Sequence, residues 1–102
     1  MTANITKLVA RIGEGDDATV KTFHGRAAWA LGALLSSGAD GCTPITRPAP
    51  RWSHYVYLLK RDGLNVETIL QPHGGAYAGR HAKYVLRSPV QVLEIEEAGV
   101  SQ

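Results

Sequence analysis

The chain has 102 residues, 44% of them hydrophobic and 20% charged, with Lys+Arg 11 against Asp+Glu 9; this balance excludes a disordered tail, and the length excludes a large two-domain enzyme. A folded chain of this size hides about 60 to 70% of the surface its unfolded form exposes, enough for one core without disulfide or metal staples. The lone Cys42 has no partner for an internal disulfide, no C-x-x-C pair is present, the N-terminal stretch lacks a signal-peptide pattern, and no segment approaches the ~18 apolar residues of a membrane span, so a cytoplasmic domain with no membrane attachment is expected.

The formal net charge of +2 conceals a gradient. Residues 1–40 hold 4 basic and 4 acidic side chains, residues 41–90 hold 7 and 2, and residues 91–102 hold 3 acidic side chains alone. An anionic partner for the middle of the chain fits that asymmetry, as does an ordinary surface.

Ile5, Leu8, Val9 and Ile12 fall at i, i+3, i+4 and i+7, which predicts a short amphipathic helix ended by Gly13, within an N-terminal helical segment over residues 1–18. Residues 19–23, TVKTF, predict a strand. GRAAWALGALLSS, residues 25–37, predicts a helix with Ala27, Leu31, Leu34 and Leu35 on one face and Gly38 as its stop. Trp29 and Ala33 project roughly opposite, so this helix wants a second cover, from residues 5–12, from the tail or from another subunit; the last of these predicts a homodimer.

Pro44, Pro48 and Pro50 crowd the next stretch, where Thr43 is placed to cap a single turn starting at Pro44. Pro50 suits the first position of a helix running to about Asp62, with Gly63 at its end. Trp52, Tyr55, Val56 and Leu59 form its inward stripe, leaving Ser53, His54, Tyr57, Lys60 and Arg61 outward, flanked by Leu58. LNVETILQ then predicts a strand, PHGGAYAGR a loop and HAKYVLR a returning strand. The acidic tail, residues 91–102, stays open: Ser88, Pro89, Gln91 and Gly99 match helix cap and stop signals, whereas Val90, Val92 and Ile95 prefer a strand.

A first helix GRAAWALGALLSSG, then GCTPI leading into a turn, RWSHYVYLLKRDGL, and the hairpin VETILQPHGGAYAGRHAKYVLR together resemble the winged helix-turn-helix family. The chain looks particularly like the small stand-alone winged-helix proteins of bacteria and phages that carry TPI, RWS, ETI, PHGG and YVLRS. The resemblance implies an α+β fold with a helical core and a C-terminal β-hairpin wing over residues 19–90. It further implies double-stranded DNA as partner, met by helix 50–62 in a major groove and by the wing 72–83, with no enzyme activity and no cofactor. One departure is the three prolines where a typical member has a further helix.

Arg47 and Arg51 lie beside the start of helix 50–62, where the helix dipole disfavours a cation. A phosphate gripped by the free N–H groups and a guanidinium resolves that conflict, as does pairing with Asp40 or a tail glutamate. Ser53, His54 and Tyr57 occupy the half of the outward face that reaches base edges, and Lys60 and Arg61 the part that follows phosphates; each is also an ordinary polar surface residue. In the wing, Arg80, His81 and Lys83 surround Gly74, Gly75 and Gly79, with His73 and Tyr77 at the tip. Trp52 is assigned to the core and Cys42 to a small buried position.

GGAYAG joins two strands and lacks a GK[ST] ending, so it is no phosphate loop, and no small-molecule ligand motif is evident. Of the four histidines only His73 and His81 converge, across the hairpin loop, which is too little for a metal site. Two functions therefore compete: a small DNA-binding regulator of transcription or phage type, and a winged-helix module that docks a protein.

Overall fold

The computed structural model describes residues 4–43, 51–73 and 79–98. In chain order these form strand β1 (Asn4–Ile12), a 3₁₀ turn (Gly15–Asp17), strand β2 (Thr19–His24), helix α1 (Gly25–Ser37), a second 3₁₀ turn (Gly38–Asp40), helix α2 (Trp52–Arg61) and strands β3 (Val66–His73), β4 (Gly79–Leu86) and β5 (Val90–Ala98). β2, β1 and β5 make one antiparallel sheet in that order, and β3 and β4 make a separate hairpin.

The helix expected over residues 5–12 is instead β1, the central strand of its sheet. Leu8, Ala10 and Ile12 point with period 2 into the core, Leu8 and Ala10 fully buried, while Val9 turns to the other face. The apolar set Ile5, Leu8, Val9 and Ile12 satisfies a helical stripe on paper. β5 pairs along β1 from Asn4 to Ile12 and β2 pairs with Lys7–Ile12 on the other side, and these tertiary partners decide. The tail's open choice is resolved in the same way: residues 90–98 form β5 because β1 presents an edge to pair with.

β2 and α1 follow the sequence expectation, and Gly38 ends α1 at φ 56, donating its N–H to the Leu34 carbonyl. α1 is buried on two sides, with Leu31 and Leu34 joined by Ala28, Ala30 and Ala33, because it packs on β1 and β2 and also on α2. Trp29 is correspondingly half-buried. Its ring lies 5.4 Å from Trp52 and 6.5 Å from Tyr55, and the Arg26 guanidinium sits over it at 4.3 Å. The surface at Trp29 that argued for a second subunit is partly covered by α2 and Arg26, neither of which was among the expected covers.

Beyond α1, Cys42 is buried beside the Ser37 hydroxyl, 3.2 Å from Sγ to Oγ, and its backbone bridges Tyr84 of β4 through two 2.8 Å hydrogen bonds. Gly41 makes that approach feasible: it has φ 72, and a Cβ there would stand 2.7 Å from the Tyr84 carbonyl oxygen. The turn expected at Thr43–Pro44 falls largely outside the described residues.

α2 begins at Trp52, after an Arg51 N-cap, so Pro50 is not its first described position. Its buried residues are the expected four, Trp52, Tyr55, Val56 and Leu59. Trp52 stacks on Tyr84 at 5.6 Å and ties α2 to the hairpin. Past Asp62 the chain leaves the helix at Gly63, whose N–H reaches the Lys60 carbonyl. The hairpin is longer than expected, because Pro72, His73, Gly79 and Arg80, assigned to the loop, pair in the ladder.

Candidate nucleic-acid interface

α2 shows why one side of it is available. The four apolar side chains recur at i, i+3, i+4 and i+7 and turn one stripe to the core, which forces the remaining residues outward. Arg51, Ser53, Tyr57, Lys60 and Arg61 are exposed and His54 is half-buried. The His54 and Tyr57 rings lie 6.3 Å apart and nearly parallel, 21° between planes.

Arg51 occupies the N-cap without any side-chain capping bond, while its carbonyl accepts from His54 and Tyr55 N–H at 3.0 and 3.1 Å. Neither Arg51 nor Lys60, Arg61 or Lys83 forms an ion pair among the described residues, and the pairing of Arg51 with Asp40 or a tail glutamate is not made there. Three of the acids engage other cations: Glu67 binds Arg87 at 2.6 Å, and Glu94 and Glu96 bind Lys7. Lys60 and Arg61 sit in the last turn of α2, where the helix dipole favours them.

Between α2 and the hairpin lies an open groove of about 300 Å³, lined by Ser53, Val56, Tyr57 and Lys60 from the helix and by Thr68 and Tyr84 from β3 and β4. Thr68 and Tyr84 were not among the expected site residues. They face each other across the hairpin ladder, and the register that aligns them depends on a turn whose length the sequence does not fix. Burial pushes the Tyr84 phenol above its ordinary pKa.

Lys83 is half-buried, its stem close to Gly41. Arg47 and Tyr77 lie outside the described residues, as do the side chains of His73, Arg80 and His81. The structure therefore brings together Ser53, Tyr57 and Lys60 on one groove wall, with Arg51 and His54 on the same helix. Among the described residues no group of three or more His, Cys, Asp or Glu side chains converges, and no helix is long and apolar enough to cross a membrane.

No curated protein and no solved structure matches the chain. A family match does exist, and it spans both the helical core and the hairpin: residues 20–96 match the winged helix domain. With α1, an isolated β-bridge at Cys42, α2 and the β3–β4 wing in that order, the chain belongs to the winged helix-turn-helix family.

Proposed function

We propose that the protein binds duplex DNA as a small regulator, laying α2 along a major groove with the β3–β4 wing against neighbouring phosphates. The observation that carries this reading is the division of α2 into a buried apolar stripe and an exposed face whose cations have no carboxylate partner among the described residues. Ser53, His54 and Tyr57 would meet base edges, where hydroxyl and imidazole groups find donors and acceptors. Lys60 and Arg61 would neutralise phosphates and set register. Arg51, disfavoured by the helix dipole, gains a role if a phosphate sits at that end with it.

The groove between α2 and the hairpin suits one sugar-phosphate strand, with Lys60 and the hydroxyls of Ser53 and Thr68 along its walls. Lys83 extends the proposed surface onto the wing, together with His73, Arg80 and His81, and Arg47 joins Arg51 near the start of α2 in the sequence. Nothing in this arrangement requires catalysis.

Fluorescence anisotropy on a labelled duplex tests the proposal. With about four to six phosphates neutralised, log K falls against log salt with a slope near −4 to −5. A chain that fails to bind duplex at about 50 mM salt is not a DNA-binding protein of this kind. Selection from a random oligonucleotide pool then identifies the preferred site.

A further inference from the structure

β5 is an edge strand. Its inner side pairs with β1, and among the described residues nothing pairs with its outer side. On the face toward α1, Val92 lies opposite Ala10 and Ile95 opposite Leu8, so both continue the surface whose inner members are fully buried. They are nevertheless 40% and 44% exposed, because α1 covers β1 and β2 and stops short of β5. Leu93, the extra residue at a register shift, is 49% exposed beside them.

On the opposite face, Glu94 and Glu96 flank Lys7 of β1, whose ammonium lies 3.3 Å from one carboxylate and 3.4 Å from the other. Both glutamates remain about half exposed, 53% and 55%, and thus open to a second cation.

We infer that β5 is the docking edge for an extended segment of a partner protein, apolar on one face and carrying Lys or Arg on the other. The strand already holds β1 in this manner: Leu8 and Ala10 on one face, Lys7 between two carboxylates on the other. An incoming strand would repeat that pattern on the open side, with main-chain hydrogen bonds supplying affinity and alternate side chains supplying selectivity. A second copy of this chain fits poorly. Pairing β5 with itself gathers three glutamates from each copy, and the register shift at Leu93 interrupts a symmetric ladder; both features oppose edge-to-edge self-association. Nucleic acid is excluded by the same carboxylates. The inference concerns a strand that contributes nothing to the α2 face and does not depend on DNA binding.

The probe is a synthetic peptide with the sequence of β1, NITKLVARI, titrated into the isotope-labelled full chain and followed by amide chemical shifts. A control peptide replaces its Lys and Arg by Glu. The expected result is saturable shifts in Val92–Glu97 with the basic peptide, weakening as salt rises, and none with the acidic one. Ile95→Ser lowers the affinity about tenfold, and Glu94→Gln with Glu96→Gln removes the preference for the basic peptide; the unperturbed α1 amides report that each variant is folded. The inference is overturned if neither peptide shifts β5, if both bind equally, or if the shifts fall on β2 as the peptide displaces β1. It is also overturned if sedimentation shows the chain dimerising alone and Ile95→Ser makes it monomeric, since a second copy would then occupy the edge.

Discussion

Arg51 and Lys60 stand near opposite ends of the exposed α2 face, and under the proposed function their removal separates electrostatic docking from base reading. Arg51→Ala with Lys60→Ala is expected to weaken duplex binding uniformly across sequences and to reduce the magnitude of the salt slope by about two, one for each phosphate left without its cation. Salt-dependent anisotropy measures it; an unchanged slope would show that neither side chain meets a phosphate. Tyr57→Ala should behave differently. A residue at the base edges changes which sites are preferred, and competition between two selected oligonucleotides detects that where a single affinity does not.

Cys42 and Gly41 show how one small residue governs a larger joint. Gly41→Ala places a Cβ against the Tyr84 carbonyl at a φ that alanine rarely adopts. The expected destabilisation is about 1–3 kcal/mol, read as a lower urea midpoint with an unchanged m-value. An unaltered midpoint would mean that the bridge to β4 tolerates displacement.

At the level of elements, the joint between α2 and the rest of the molecule is aromatic. Trp52 touches Trp29 of α1 and stacks on Tyr84 of β4, so one side chain fixes the helix against both neighbours. Trp52→Ala is expected to cost about 3–5 kcal/mol, a large share of the ~5–15 kcal/mol that holds a small domain together. Thermal denaturation checks it. DNA affinity should fall with the folded fraction alone if Trp52 acts only through positioning.

This joint was legible in the sequence because α2 is decided locally. Trp52, Tyr55, Val56 and Leu59 share one helical face under a single periodicity, and the outward set follows by exclusion. β1 was not legible. Its four larger apolar residues fit a 3.6-residue period, while Ala10, fully buried on the strand's inner face, is too small to signal period 2 in a sequence reading. What makes residues 4–12 a strand is pairing with β2 and with β5, the second of which is distant in sequence. The groove was half legible for a related reason: Ser53, Tyr57 and Lys60 come from the helix, but Thr68 and Tyr84 enter through a hairpin register that distant pairing sets.

On the scale of the whole molecule, alkaline pH acts on two groups in the same direction. Hydrogen bonding to Glu94, with the charges of Glu94 and Glu96, raises the Lys7 ammonium above 10.5. Its contribution is fully present below that value and is lost as pH rises through the higher folded pKa. Burial raises the Tyr84 phenol above 10.0, so the unfolded chain ionises first and stability again falls as pH climbs past 10.0. Urea midpoints followed from neutral to strongly alkaline pH should therefore decline above about pH 10. Tyr84→Phe should flatten that decline, and an equally steep fall in the variant would assign the loss elsewhere.

The pairing of Asn4 with Ala98 spans nearly the whole chain. During synthesis β1 leaves the ribosome well before β5, its partner on one flank. Closure of this sheet must therefore await the emergence of residues 90–98, and refolding should run on the slower timescale typical of proteins dominated by distant pairings. Until then Leu8 and Ala10 are shielded on one side at most, so nascent chains halted before residue 90 are the species most exposed to chaperones and to aggregation.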